Sequence, residues 1–431
     1  MKHSLIIIAF LYSLGTAAQE TIYPASPQTG TIIISNAIIH IGNGQVLNNA
    51  SIEFKKGKIT GVGSSIAAAP GARIINAQGK HVYPGLILSA TNLGLVEVPS
   101  VRATNDVSEI GELNPSVRSI VAYNTDSKVT NTLRSSGILL ANIVPLGSGI
   151  SGSSSVVQLD AWNWEDAVYK MDHGLHFTMP FLLPRPRQFA LVSNLPQTDP
   201  VKEGLERVDR IKTFLQDAKA YNSESGHAQT NLKLAAAKGL FQKTQKLFVH
   251  ANTVKQMLVA LDMVKDLEID MVIVGGTDSW QIADLLKQKN VSVILGASHS
   301  LPLLEDDDVD QSYKTPFLLE KAGLLFSITD NDEQTRGRNL AYNAGTAVAF
   351  GLSKEKALQS ITLDAAKILG IADQTGSLEV GKDANIIISN GDVLDMRSST
   401  LTEAFIEGRQ INLSDKQKQL YERYKYKYGL K

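Results

Sequence analysis

Histidine and carboxylate side chains are the groups in this sequence that could bind a metal ion. The chain has 8 histidines and no cysteine among its 431 residues. The absence of cysteine excludes disulfides, iron–sulfur clusters, thiolate zinc sites and a cysteine nucleophile. Any metal must therefore be held by histidine, carboxylate or amide oxygen, and such a site would activate a bound water for hydrolysis.

Two local patterns suggest other chemistry. His173 and His176 are three residues apart and would grip one ion together only in a helix, which Gly174 disfavours. The run of small residues at 151–155 lacks the G-x-S-x-G pattern of a nucleophilic serine. We interpret this run as a solvated loop and the two histidines as structural or surface residues.

Composition and charge exclude several classes of protein. Apolar residues make up 43 % and charged residues 20 % of the chain, which is typical of a globular protein. The 42 basic and 43 acidic residues give a net charge of −1, so no electrostatic case exists for binding nucleic acid or an anionic membrane surface. We interpret residues 413–431, a tail rich in lysine and tyrosine, as a solvated terminal helix.

The first residues have the layout of a secretory signal peptide. Lys2 and His3 precede an apolar run from Leu5 to Leu14, and small residues follow up to Ala18. The run is too short for a permanent membrane anchor, and no later segment has 18 unbroken apolar residues. We therefore predict a signal peptide at residues 1–18 and an exported protein, periplasmic or secreted, without a membrane span.

The middle of the chain, residues 83–375, predicts the elements that must position any site. Apolar runs of four to six residues alternate with stretches of helical period, which favours a parallel sheet and, over this length, a (β/α)₈ barrel of the TIM type. The predicted strands are Ile138–Val144, Leu247–His250, Met271–Val274, Ser292–Leu295 and Leu324–Ile328. The predicted helices include Glu203–Tyr221, Thr253–Lys265, Ser279–Lys289 and Arg336–Phe350.

The two ends of the chain resemble each other and differ from the middle. Residues 22–82 and 376–412 consist of short β-branched runs separated by tight turns such as Gly42-Asn43-Gly44. We predict an α/β protein in which one small β-sandwich, built from both ends, flanks the barrel.

Three segments carry a resemblance to a known family. They are Lys80–Ile87 (KHVYPGLI), the strand and small-residue run from Gly137 to Gly152, and the C-terminal signature from Gly351 to Ala384. In this order they resemble the amidohydrolase superfamily, in particular its exported imidazolonepropionase-like members. The resemblance implies the composite fold of metal-dependent hydrolases, in which a barrel is joined to a β-sandwich. It also implies a relationship to hydrolases that act on C–N bonds other than peptide bonds.

The resemblance also implies where metal ligands should lie. The His-x-His pair of the first barrel strand falls on Ala90 and Asn92, and the sixth-strand histidine falls on Gly275, so three ligands are lost. The fifth-strand histidine matches His250. The eighth-strand aspartate, which is both a ligand and the general base, matches Asp330. Two ligands are fewer than the three that a catalytic zinc usually has.

A reduced site is the remaining metal hypothesis. No fourth-strand lysine can be placed near residues 175–181, but His299 follows the seventh strand and could join His250 and Asp330 around one zinc or other divalent ion. No cofactor is firmly implied beyond that ion.

Three functions remain open. The first is a weakly catalytic or non-catalytic member, a pseudoenzyme, that binds a small amide-type ligand or pairs with an intact amidohydrolase paralogue or with itself. The second is an active hydrolase with a reduced or relocated metal site. The third is a purely structural or interaction protein in the cell envelope. The three lost ligands favour the first.

Overall fold

A computed structural model of the protein describes residues 22–64, 66–183, 199–224, 226–302, 306–330 and 336–430. The predicted signal peptide lies outside these residues. The strands are β1 Thr31–His40, β2 Val46–Lys55, β3 Lys58–Gly63, β4 Arg73–Asn76, β5 His81–Pro84, β6 Leu86–Thr91, β7 Ile138–Ile143, β8 Gly149–Gln158, β9 Val168–Thr178, β10 Lys246–Ala251, β11 Met271–Gly275, β12 Ser292–Leu295, β13 Phe326–Ile328, β14 Ile386–Ser389, β15 Leu401–Ile406 and β16 Arg409–Gln410. The α-helices are α1 Ser119–Ala122, α2 Lys128–Ser135, α3 Trp164–Ala167, α4 Pro200–Ser223, α5 Leu232–Ala236, α6 Lys238–Phe241, α7 Val254–Val264, α8 Ala283–Gln288, α9 Gln311–Ala322, α10 Leu340–Ala349, α11 Lys354–Ser360, α12 Leu363–Leu369 and α13 Lys416–Tyr428.

The β-rich domain is built from both ends of the chain, as predicted. Its strands form one sheet in the order β16-β15-β14-β5-β1-β2-β3, and β4 also pairs with β1. The rings of Phe54 and Phe405 lie 5.1 Å apart although their strands, β2 and β15, are well separated in this order. The sheet therefore folds over itself around its own apolar core, which gives the domain its sandwich character.

The barrel is an eight-stranded sheet in the order β13-β12-β11-β10-β9-β8-β7-β6. The strands from β9 to β13 are parallel, and so are β6 and β7. Side chains close the gap between the first and last strands, because the Thr329 hydroxyl donates to the Ala90 carbonyl at 3.1 Å and Ser89 bonds to Ser327 at 3.0 Å. The predicted barrel is thereby confirmed, and its core is separate from that of the β-rich domain.

One barrel strand differs from the prediction. Residues 151–155, predicted to be a solvated loop, lie within β8, which is buried along its whole length and runs antiparallel to both β7 and β9. Small residues are needed there because a Cβ on Gly152 would lie 2.6 Å from the Val117 carbonyl oxygen. The prediction of a loop was wrong because burial of this strand is set by its neighbours and not by its own hydrophobicity.

The other predicted elements are present with small shifts. Strand Ser292–Leu295 has the predicted bounds, whereas the helices predicted from Ser279 and from Arg336 each begin with a 3₁₀ turn. The C-terminal tail forms the predicted exposed helix, α13. Among the described residues, no helix is long and apolar enough to cross a lipid bilayer.

Candidate functional site

A cleft of about 540 Å³ opens at the carboxyl ends of β10 to β13, the edge at which barrel enzymes place their sites. His250 and Gly275 line it together with His299 and Arg336. The other polar residues that line the cleft are all neutral. They are Asn252, Thr277, Ser298, Ser300, Ser312 and Thr315.

His250 lies near the end of β10, where the sequence placed it, but its ring is already engaged. Its Nε2 is 3.0 Å from Nδ1 of His176, which projects from the neighbouring strand β9. Burial lowers the pKa of His250 to about 4, and burial followed by the charge of His250 lowers the pKa of His176 well below its usual value. Both rings are therefore neutral at pH 7 and share one proton across the contact.

His176 contacts the site residue His250, although the sequence predicts only a structural or surface role for it. It lies on the fourth barrel strand, at the position paired with Phe248, and its ring stacks on that phenylalanine with 4.9 Å between centroids. Its Nε2 is buried without a hydrogen-bond partner among the described residues. The signal was the β-like sequence around HGLH, which predicts a strand rather than the helix that a shared metal pair would need.

His173 belongs to a different contact from His176. Its Nε2 lies 2.9 Å from the amide oxygen of Asn142 on β7, and the Asn142 amide nitrogen donates to the Ser89 carbonyl at 3.1 Å. Burial lowers the pKa of His173 to about 3. Residues three apart on a strand point to opposite faces, so the hypothesis that His173 and His176 grip one ion is wrong.

The loop after His250 is held by a helix cap. Thr253 caps α7 in a capping box with Gln256, and Gln256 also accepts from the backbone N–H of Asn252 at 3.0 Å. The Asn252 side-chain oxygen in turn accepts from the Thr277 hydroxyl at 3.2 Å. These bonds fix one wall of the cleft.

Asp330 follows β13 and is almost completely buried, with 2 % of its surface exposed. Its Oδ2 accepts a hydrogen bond from the Asn343 side chain at 3.0 Å, and its Oδ1 is 3.9 Å from Nε of Arg336. The guanidinium of Arg336 therefore supplies positive charge beside this carboxylate.

The residues at the two first-strand positions, Ala90 and Asn92, are uncharged and do not form a pair of metal ligands. Ala90 has no side-chain donor, and its backbone N–H and C=O are both bonded to the Thr329 hydroxyl. Asn92 is 3 % exposed, and neither of its amide atoms has a hydrogen-bond partner among the described residues. A buried amide of this kind is expected to hold an internal water molecule.

Gly275 could not have been a histidine in this backbone. Its φ is +100°, and a Cβ would stand far inside van der Waals contact with Oδ1 of Asn252. Any side chain at this position would displace the Asn252–Thr277 hydrogen bond that shapes the cleft.

Replacement of Gly275 by alanine should therefore be costly. We expect Gly275→Ala to lower the free energy of unfolding by about 2–4 kcal/mol, from backbone strain and steric overlap. Gly296→Ala is the matched control in the same cleft, because its Cβ would meet open space. Urea denaturation of both variants measures the difference, and equal stabilities would contradict the crowding at Gly275.

His299 lies at the rim of the cleft and is exposed, with Nδ1 3.2 Å from the Tyr313 hydroxyl. It lines the same cavity as His250. Within the part of the chain that the structure describes, however, no three histidine, aspartate or glutamate side chains are grouped so that they could hold a metal ion.

The donor set does not fit the divalent ion that the resemblance implies. The resemblance places two expected donors at Ala90 and Gly275, which have none, and a third at Asn92, whose amide is neutral. The Nε2 of His250 is committed to a histidine, and Asp330 is held by an amide and a guanidinium. We therefore derive no reaction step through a metal at this position.

Sequence comparisons find similarity to amidohydrolases over parts of the chain. Residues 209–411 match the model of the amidohydrolase family. The imidazolonepropionase of Brucella anthropi is 31 % identical over 117 residues, which cover 26 % of this chain and 27 % of that protein. The imidazolonepropionase of Brucella suis is 43 % identical over 63 residues, or 14 % of this chain and 15 % of that protein. The chain thus aligns with 27 % or less of the length of these two curated relatives.

Solved structures resemble the chain over most of its length. An amidohydrolase from Thermotoga maritima superposes with a TM-score of 0.77 at 22 % identity, covering 88 % of this chain and 99 % of that one. An adenosine deaminase from Xanthomonas campestris, solved with bound zinc, gives a TM-score of 0.53 at 13 % identity and covers 93 % and 99 %. At these identities the likeness establishes the fold alone.

Proposed function

The chain belongs to the amidohydrolase superfamily, and on that premise we propose that it is a member whose metal centre is dismantled and whose barrel mouth binds a small ligand without hydrolysing it. The ancestral chemistry would be hydrolysis of a C–N bond other than a peptide bond. The proposal makes the protein a weakly catalytic or non-catalytic relative of such hydrolases.

The observation that carries this proposal is the bond between His250 and His176. A histidine whose Nε2 lies 3.0 Å from a second imidazole cannot offer that nitrogen to a metal unless the pair separates. Separation would leave Nδ1 of His176 without its partner in a buried, apolar setting beside Phe248. Metal binding through Nε2 of His250 would therefore have to offset the loss of a partly buried hydrogen bond.

The lining of the cleft supports an amide-type ligand. A cavity of about 540 Å³ is within the range of small-molecule sites. Its neutral hydroxyl and amide groups can both donate and accept, as the N–H and C=O of a cyclic or linear amide require. Val274, Leu295 and Ile328 give it an apolar floor on which such a ligand could pack.

Measurement of metal content tests whether the protein lacks a metal centre, as the proposal requires. Protein purified from zinc- and manganese-supplemented medium is expected to contain no stoichiometric metal by inductively coupled plasma mass spectrometry. Asp330→Asn, which keeps the shape of the side chain and its contact with Asn343, should give the same background value. Stoichiometric metal in the wild type that is lost in Asp330→Asn would overturn the proposal.

The alternative function is amide hydrolysis at a site that holds a single metal ion. It is favoured by the fact that His250, His299 and Arg336, the neighbour of Asp330, all line one cleft. In that case His250, His299 and Asp330 would hold one zinc or other divalent ion, with Asp330 as general base. Loss of metal in both His299→Asn and Asp330→Asn, together with amide hydrolysis by the wild type, would establish this alternative.

The partner and the location remain proposals as well. A non-catalytic member could act as the partner of an intact amidohydrolase paralogue or form a homo-oligomer, and the N-terminal pattern supports export to the periplasm or medium. Light scattering coupled to size-exclusion chromatography measures self-association. Fractionation of cells that express the full chain measures export.

A further inference from the structure

A second cleft lies away from the barrel mouth, between the segment that leads into α2 and the C-terminal helix α13. Its volume is about 570 Å³, and it has no lining residue in common with the mouth cleft. Hydrogen bonding joins its two walls, because the Thr132 hydroxyl of α2 donates to the side-chain oxygen of Gln417 on α13 at 3.4 Å.

The lining of this cleft is strongly cationic although the whole chain is nearly neutral. Lys128 and Arg134 come from α2, and Lys416 and Arg423 come from α13. Asp126 is the one carboxylate among the described lining residues. Two other lysines of α13 have a carboxylate beside them, and Lys427 lies over the rings of Tyr424 and Tyr428. Lys418 pairs with Asp415, and Lys425 pairs with Glu422.

A buried charge imbalance lies behind the cleft. Arg134 and Arg409 both pair with the single carboxylate of Asp160, and the exposed fractions of the three side chains are 5 %, 13 % and 1 %. Two guanidiniums therefore share this carboxylate, and the carboxyl of Glu407 also interacts electrostatically with Arg409. The Nε of Arg134 is also buried without a hydrogen-bond partner among the described residues. Arg134 thus brings positive charge to the wall of the cleft.

The N-terminus of α2 adds to this field. The helix begins at Lys128 after the N-cap Ser127, and both residues line the cleft. The Val129 N–H is bonded to the Ser127 hydroxyl and the Thr130 N–H to the Ser127 carbonyl, so this helix end contributes partial positive charge, which favours phosphate groups, rather than a set of free donors.

We propose that this cleft binds a phosphate-bearing small molecule or headgroup. Lys416 and Arg423 would contact the phosphate from α13, and Lys128 and the N-terminus of α2 would contact it from the opposite wall. Arg134 would act mainly through its charge. The proposal does not depend on the function of the barrel mouth.

Calorimetric titration of the whole protein with inorganic phosphate and with pyrophosphate at low ionic strength tests the proposal. We expect saturable binding that weakens with added salt, and a dissociation constant raised about tenfold or more in the double variant Lys416→Gln/Arg423→Gln. The matched control is Lys418→Gln/Lys425→Gln, which removes the same charge from the same helix but outside the cleft. The control should bind like the wild type.

Two results would overturn the proposal. One is the absence of saturable binding, and the other is an equal loss in both double variants, which would indicate a general effect of charge. Cosedimentation with phosphatidylcholine vesicles doped with phosphatidic acid identifies the source of the phosphate. Vesicle binding that is lost only in Lys416→Gln/Arg423→Gln assigns a lipid headgroup, whereas binding of soluble phosphate without vesicle binding assigns a free ligand.

Discussion

Acidification from about pH 7 to about pH 4.5 is expected to remove a large part of the folding stability of this protein. The cause is the set of histidines inside the barrel. Burial lowers the pKa of His173 to about 3 and that of His250 to about 4, from an ordinary value of 6.5, and the pKa of His176 also lies well below that value.

The direction of the effect follows from proton binding. Between pH 6.5 and the lowered values, the unfolded chain protonates these histidines and the folded protein does not, so the free energy of unfolding falls as pH decreases. Each such histidine contributes up to about 1.4 kcal/mol per pH unit in this window. Below the folded pKa values both states are protonated and the loss levels off. The total is several kcal/mol, against roughly 5–15 kcal/mol for a typical domain.

Urea denaturation at pH 7, 6 and 5 measures this slope directly. The buried carboxyl of Glu407 has a raised pKa and opposes the trend, but most carboxylates titrate below this range. His173→Gln should be less stable at pH 7 yet show a shallower dependence on pH, by about one proton. His299→Asn, at the exposed rim, should keep the wild-type slope. An equal slope in wild type and His173→Gln would contradict the assignment.

The framework that positions the site could be predicted because its signals are local. Apolar runs such as those of β10 and β12 are bounded by turns and helix caps, so strand and helix alternate visibly along the sequence. The same alternation placed His250 at a strand end. β8 escaped prediction because its glycines and serines have weak strand propensity, and its burial depends on β7 and β9 on either side.

The electrostatic partners within the site could not be predicted because they depend on register and distance. The contact between His176 and His250 joins residues 74 apart and requires the parallel pairing of β9 with β10. The sequence alone shows that Ala90 and Gly275 have no side-chain donor, and that metal ligands were lost there stays a prediction. The contacts of the other two predicted ligands are visible only in the folded chain. His250 contacts an imidazole, and Asp330 lies beside a guanidinium.

The second large effect is expected at Asp160, far from the barrel mouth. This carboxylate pairs with Arg134 of α2 and Arg409 of β16, and its Oδ2 also accepts from the backbone N–H of Ala25 at 2.8 Å. It therefore ties the N-terminal segment and the β-rich domain to the barrel. Asp160→Ala removes the carboxylate that two largely buried guanidiniums share and should lower the free energy of unfolding by about 3–5 kcal/mol.

The comparison with an exposed ion pair separates burial from charge. Asp262 pairs with Lys265 at 2.8 Å, but both side chains are more than half exposed, so Asp262→Ala should lower the free energy of unfolding far less than Asp160→Ala. Equal losses in Asp160→Ala and Asp262→Ala, measured by urea denaturation, would contradict the role of the buried triad. Because Arg134 also lines the cationic cleft, phosphate should restore part of the stability of Asp160→Ala, whereas sodium chloride at the same ionic strength should not. The stability lost in Asp160→Ala and the stability that phosphate restores then both depend on the positive charge of Arg134.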